Sequence, residues 1–246
     1  SFFARTVPAW GLSLTFLLIA AGGLCCSLSI KAVESPPEKN HDTIRPLTYL
    51  VRSMRHAAKY PGLNSVVIAL SIFWFIAGMI QMTLLVFCRR ELGMSDFQTG
   101  LVLTAAAVGT GTGCFLSGII TKKWNRNVFV PICGSGITLL FLLAYIVPIK
   151  GFWFGFLFFI TGILCGLYKV PFDAAIIQKV PGRNLGRMLA YSNQISFIFI
   201  LAASAAFVLI TKYTDTKTVF LFLGLVMGLT TLFVIFSKYI WSTKEA

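Results

Sequence analysis

Residues 152–178 read FWFGFLFFITGILCGLYKVPFDAAIIQ, a stretch with only two charged side chains, Lys169 and Asp173. An α-helix needs about 20 mainly apolar residues to cross the roughly 30 Å of hydrocarbon in a bilayer. The core of a soluble domain cannot hide an apolar run of this length. The stretch therefore predicts a membrane-spanning helix.

Six further apolar stretches flank this one. Hydrophobic residues make up 57% of the chain and charged residues 12%, against about 25% charged residues in soluble domains. The ten-residue alternation of a membrane β-barrel is absent, and lipid does not tolerate unpaired backbone groups. The sequence predicts an all-α membrane protein of about seven transmembrane helices, at residues 10–30, 63–87, 100–120, 128–147, 152–178, 188–210 and 219–240.

The net charge of +13 could indicate nucleic-acid binding. However, the basic residues flank the apolar spans one loop at a time, as they do in cytoplasmic loops of membrane proteins. One set of alternate loops holds six Lys and Arg residues and the other holds fourteen, which predicts an outside N-terminus and a cytoplasmic C-terminus. The fourteen are Lys31, Lys39, Arg45, Arg52, Arg55, Lys59, Lys122, Lys123, Arg126, Lys179, Arg183, Arg187, Lys238 and Lys244.

Residues 31–60 form the only long connection. Residues 34–40 are a polar linker, and residues 46–60 predict an amphipathic helix that either lies on the cytoplasmic leaflet or is a solvated linker. The predicted organisation is a last helix of an N-terminal six-helix unit at 1–30, a cytoplasmic linker at 31–60 and a C-terminal six-helix unit at 61–246. Because Ser1 is not a Met, we expect the chain to come from a longer one. The apolar face of the amphipathic helix comprises Leu47, Leu50, Val51, Met54 and Ala58, and the basic face Arg52, Arg55 and Lys59.

Catalytic and metal-binding signatures are absent from the sequence. No G-x-S-x-G occurs, and neither His41 nor His56 starts the H-x-x-x-x-D of glycerolipid acyltransferases. No C-x-x-C motif occurs, and neither histidine lies at the spacing from a cysteine that a zinc site requires. The glycine run at 109–113 lacks the Lys-Ser/Thr of a phosphate loop. We predict no enzyme activity, no cofactor and no metal site in this chain.

Small residues recur every four positions in several spans, as they do where membrane helices pack closely. They predict a surface on which helices slide or rock, a static contact, or both. The repeats are Ala105, Gly109, Gly113 and Ser117; Gly162 and Gly166; and Gly224 and Gly228.

Lys169 and Asp173 are the main candidate site residues. They lie four positions apart, on one face of a helix, so they can pair. An ionisable residue within a span costs about 2.5–3.5 kcal/mol and usually faces a cavity, although a long span also lets Lys169 extend to the membrane surface. Pro171 between them predicts a kink. Further candidate substrate ligands, which equally suit helix-to-helix hydrogen bonds, are Gln81, Asn193 and Gln194.

Five motifs follow the amphipathic helix in order, and together they resemble the C-terminal half of lysophospholipid transporters of the major facilitator superfamily. The similarity is greatest to versions fused to an acyl-acyl carrier protein synthetase and acyltransferase. The motifs are Ser71-Ile-Phe-Trp74-Phe, Arg90-Glu91-Leu-Gly93, Ser117-Gly118-Ile-Ile-Thr-Lys-Lys, Gly166-Leu-Tyr-Lys-Val-Pro171 and Gly186-Arg187-Met-Leu-Ala190-Tyr-Ser-Asn193.

The resemblance implies that the spans are numbers six to twelve of a carrier in the bacterial inner membrane. Such carriers move lyso-phosphatidylethanolamine and related lipids inward for reacylation, which implies a missing N-terminal half, a membrane-lipid substrate and an acyltransferase as partners. Lys169, usually apolar in these carriers, would meet the phosphate, and Asp173, usually Asn, would tune the lysine or meet the amine. Residues expected to serve helix packing or gating are Gly109, Gly113, Gly162, Gly166, Pro171 and Arg187.

Two other functions remain open from the sequence. One is a proton-coupled exporter of drugs or metabolites, in which Asp173 would carry the proton. The other is a membrane anchor for a fused acyltransferase that transports nothing itself.

Overall fold

A computed structural model describes residues 9–29, 46–121, 124–149 and 151–237. The predicted polar linker at 34–40 lies outside these ranges, as do Lys31, Lys39, Arg45, Lys122, Lys123, Lys238 and Lys244. The described part folds into eight helices: α1 (Ala9–Leu28), α2 (Pro46–Ala57), α3 (Leu63–Arg90), α4 (Asp96–Ile120), α5 (Arg126–Ile146), α6 (Phe152–Lys179), α7 (Gly182–Tyr213) and α8 (Thr218–Phe236).

Six of these helices, α3 to α8, are long and apolar enough to cross a membrane. They confirm the predicted all-α membrane bundle and coincide with six of the seven predicted spans. Several run past the apolar segments, because polar residues also continue a helix; α7 begins at Gly182 rather than at residue 188. The remaining predicted span, 10–30, corresponds to the helix α1. Its apolar part, Ser13–Leu28, is shorter than the six spans, and its large side chains are exposed. The predicted end of the last span, beyond residue 237, lies outside the described residues.

The spans alternate in direction because short turns join them. The closest pairs are α4 with α6, α3 with α7, and α5 with α8, and α6 also touches α5 and α3. One end of the bundle therefore carries α2 with the α4–α5 and α6–α7 turns. The other end carries the α3–α4, α5–α6 and α7–α8 turns.

The Arg90-Glu91-Leu-Gly93 motif ends α3 and begins the turn to α4. Gly93 has φ 61°, a left-handed conformation that glycine adopts without steric cost. The amide of Met94 then donates to the carbonyl of Cys88 at 2.9 Å. Ser95 caps α4 in a reciprocal capping box with Gln98, so the turn fixes where the second helix begins.

The α4–α6 contact is made backbone to backbone, where the small-residue repeats predict close packing. A Cβ on Gly113 would lie 2.1 Å from the carbonyl oxygen of Ile163, and one on Gly162 would lie 2.3 Å from that of Ala106. Any side chain there would push the helices apart. The same holds for Gly109 and Gly166.

Pro171 is buried inside α6, and the residues on both sides of it are helical. The helix is therefore continuous through this proline, and the kink expected there stays a prediction. Lys169 and Asp173 stay on a continuous helical segment, one turn apart, which is what places them side by side.

Candidate functional site

A cavity of about 580 Å³ opens between α3, α4 and α6, with α5 and α8 contributing Ile137, Phe141 and Met227 to its wall. Its volume lies within the usual range of ligand pockets, about 300–1,000 Å³. Most of the lining is apolar. The hydroxyls of Thr110 and Thr161 in the wall donate to carbonyls of their own helices, at 2.9 Å each, so they add little polarity.

Lys169 is the only charged residue that lines this cavity in the described part of the chain. Its Nζ donates to the carboxylate of Asp173, forming an ion pair, and lies 5.5 Å from the ring centroid of Trp74. A cation over the face of an indole is stabilised by the ring quadrupole. The Lys169 side chain is 25% exposed and that of Asp173 41% exposed, so the pair remains reachable by a ligand.

The cavity is charged at one end and apolar at the other. Along α6, eleven residues separate Phe158 from Lys169, which is about 16 Å at 1.5 Å per residue. Along α3 the wall runs from Trp74 to Leu84, about 15 Å by the same rise. The cavity therefore suits a ligand with one charged group and a long apolar part.

The structure does not gather all the predicted substrate ligands in one place. Gln81 lines the same cavity as Lys169, but Asp173 is not in the lining and reaches the cavity only through its ion pair. Asn193 lines a separate cavity of about 200 Å³, which shares Trp74 with the first. Gln194 lines neither cavity. Sequence position alone could not reveal this division, because it depends on which helices are neighbours.

The predicted packing and gating residues also separate. Gly162 belongs both to the cavity wall and to the α4–α6 contact. Arg187 lies near the start of α7, at the bundle end that carries α2, and does not line the cavity. Gly109, Gly113 and Gly166 lie in the helix contact alone.

Trp74, Cys114 and Cys165 line the cavity, and none was among the predicted site residues. Trp74 could have been found from its position. Tryptophan usually lies at membrane interfaces, whereas Trp74 lies about halfway along α3. The two cysteines carry no comparable signal, because cysteine is also an ordinary small packing residue.

The family model of the Major Facilitator Superfamily matches residues 4–204, from before α1 into α7. The chain belongs to the Major Facilitator Superfamily. Its membership confirms the superfamily part of the resemblance, and the six apolar helices agree with a half-bundle of that fold. None of the curated proteins and none of the solved structures compared with the chain matches it.

Members of the Major Facilitator Superfamily are membrane transporters rather than enzymes. This chain is thus a multi-pass membrane protein of a transporter family. In a transporter built from two repeats, the substrate lies between them near the bilayer midplane. The cavity with Lys169 lies in the middle parts of α3, α4 and α6, and is the candidate substrate site of this major facilitator.

Proposed function

We propose that the protein moves a lysophospholipid across the membrane. The observation that carries the proposal is Lys169, the one charged lining residue in the described part of the chain, at one end of a long and mainly apolar cavity. A lysophospholipid has one phosphate and one acyl chain, so its charge and its apolar length match the two ends of that cavity.

In this proposal Lys169 binds the phosphate of the lipid, since hydrogen bonds between ions are about twice as strong as neutral ones. The acyl chain lies along α3 and α6 towards Leu84 and Phe158. Asp173 holds Lys169 in place and meets the amine of an ethanolamine head group. Trp74, beside Lys169, covers the head group.

We further propose that the bundle end carrying α2 faces the cytoplasm of a bacterial cell, because Arg52, Arg55, Arg126 and Lys179 gather there. The N-terminus would then lie outside. A second six-helix half would complete the cavity, since few residues of α4 and α7 are buried within this chain. An acyltransferase on the cytoplasmic side would reacylate the delivered lipid.

The same cavity would also accept a lipophilic drug or metabolite. An exporter of this kind would use Asp173 as a proton carrier, and its cavity would accept neutral amphipaths as readily as phosphorylated ones. A membrane anchor without transport activity would bind neither. These alternatives differ in what enters the cavity, which is measurable.

Thiol labelling provides the binding test, because Cys114 and Cys165 line the cavity whereas Cys88 and Cys133 are buried. The exposed Cys25 and Cys26 are first replaced by serine. The reconstituted protein is then labelled with a small maleimide, in the presence of either lyso-phosphatidylethanolamine or a monoacylglycerol with the same chain. We expect the phospholipid to slow labelling at a concentration roughly tenfold lower than the monoacylglycerol needs. A tenfold difference in affinity corresponds to about 1.4 kcal/mol, which binding of the phosphate would supply.

Lys169→Met should remove this difference and leave monoacylglycerol protection unchanged. Lys212→Met is the matched control, because Lys212 also lies over an aromatic ring, that of Tyr213, at 5.5 Å but outside the cavity. Equal protection by both lipids in the unaltered cavity would favour the exporter, and no protection by either would favour the anchor.

Transport itself is tested by uptake of labelled lysolipid into spheroplasts that express the full-length protein. We expect uptake above that of an empty strain and a loss of uptake in Lys169→Met. Absence of uptake, with the protein present in the membrane, would contradict the proposal.

A further inference from the structure

The surface of α2 has three stripes with different surroundings. Ser53 and Ala57 are buried against the bundle, mainly against α7. Val51 and Met54 are 48% and 51% exposed. The third stripe holds the exposed cations Arg52, Arg55 and, in the turn that follows the helix, Lys59.

The order of the stripes around the helix is informative. At 100° per residue, the apolar stripe of Val51 and Met54 lies roughly 100° from the buried stripe, and the basic stripe lies roughly 100° further on. Moving around α2 away from the bundle, one therefore meets protein, then apolar side chains, then cations. A helix at the edge of a bilayer meets bundle, acyl chains and head groups in the same order.

Hydrogen bonds hold α2 at the level where the spans end. The side chain of Asn64, in the first turn of α3, donates to the carbonyl of Met54 at 3.4 Å and accepts from the Tyr191 hydroxyl at 3.4 Å. Asn184, near the start of α7, donates to the Tyr60 hydroxyl at 3.1 Å. These contacts fix α2 beside the ends of two spans rather than away in solvent.

Charge complementarity identifies the partner of the exposed stripes. Residues 46–62 contain Arg52, Arg55 and Lys59 and no Asp or Glu. Each such cation near an anionic leaflet adds to the electrostatic attraction between the helix and the lipid. We propose that α2 binds the anionic lipid surface around the bundle, with Val51 and Met54 among the acyl chains and the three cations on lipid phosphates. This site is distinct from the transport cavity and does not depend on its substrate.

Hydrogen–deuterium exchange tests the proposal on the full chain in nanodiscs. One preparation contains only phosphatidylcholine, and the other contains the same lipid with 30% phosphatidylglycerol. We expect amides of α2 to exchange at least tenfold more slowly in the anionic nanodiscs. The triple change Arg52→Gln, Arg55→Gln and Lys59→Gln should abolish the difference, and Met54→Ser should reduce it.

The matched control removes the same number of charges at the opposite end of the bundle, as Arg90→Gln, Lys212→Gln and Lys217→Gln. It should leave the exchange of α2 unchanged. Equal exchange in both lipids would overturn the proposal and leave α2 as a helix that packs only on the bundle. So would a lipid effect that survives the triple change or is lost in the control.

Discussion

The α4–α6 and α3–α7 pairs show two ways in which helices of one bundle pack. In α4–α6, glycines bring the backbones into contact, so that an added Cβ on Gly113 would meet a carbonyl oxygen at 2.1 Å. In α3–α7, contact is made by side chains: a Cβ on Gly78 would lie 3.6 Å from Ile200, an ordinary van der Waals distance. The α4–α6 pair is therefore rigid, and the α3–α7 pair is more adaptable.

The glycine repeats of α4 and α6 were predicted to form a static contact or a surface on which the helices rock, and the backbone contact favours the static one. The two backbones are in contact from Gly109 to Gly113 on α4 and from Gly162 to Gly166 on α6. This contact leaves no room for one helix to rotate past the other. We infer that α4 and α6 move together as one body. Any change in the shape of the cavity then falls on α3 and its side-chain contacts.

The largest expected effect comes from Gly113→Ala. The added Cβ meets the backbone of Ile163, which cannot rotate away, so we expect a loss of about 2–3 kcal/mol in unfolding free energy. Gly78→Ala is the matched control and should cost nothing, because alanine also gains about 0.5–1 kcal/mol of helix propensity. Thermal melts in detergent measure both. Equal melting temperatures would contradict the division into a rigid and an adaptable pair.

An intermediate effect is expected at the α5–α8 contact. A Cβ on Gly134 would lie 2.3 Å from the Oγ1 of Thr231, a side chain rather than a backbone atom. We expect Gly134→Ala to cost about 1–2 kcal/mol and the added change Thr231→Ala to restore most of it. The unfolding free energies of the two single variants and the double variant decide this. Failure of the second change to rescue the first would mean that backbone also limits this contact.

A smaller effect is expected at the ion pair between Lys169, in the cavity wall, and Asp173. Lys169→Leu, Asp173→Asn and the double variant form a cycle whose coupling energy we expect at about 0.5–1 kcal/mol, because both side chains are partly exposed. The double variant should fold better than additivity of the single changes predicts. Thermal melts of all three variants give the coupling.

The reference for that cycle is the pair Arg89–Asp96 at the opposite end of the bundle. Arg89 Nη2 lies 2.9 Å from Asp96 Oδ1, but the two side chains are 52% and 61% exposed. Solvent screens such a pair, so we expect a coupling of no more than about 0.3 kcal/mol. Coupling at Lys169 and Asp173 no larger than this would show that the cavity gives their interaction no added strength.

The amino-acid sequence is enough to assign which residues form the spans and which share a helical face. Long apolar runs predict α3 to α8, because only a helix satisfies its backbone within a bilayer. Helical periodicity likewise places Lys169 beside Asp173 and aligns the small residues of α4. Each of these features depends on residues within about one turn of each other or on the composition of a single segment.

Which helix faces meet becomes visible only in the packed bundle. It placed Trp74 of α3 over Lys169 of α6 and put Asn193 in a different cavity. It also turned Ser53 and Ala57 of α2 towards the bundle, so that Met54, on the predicted apolar face, remains exposed. Such arrangements follow from how closely the backbones approach one another, and that distance is set jointly by side chains from helices that lie far apart in sequence.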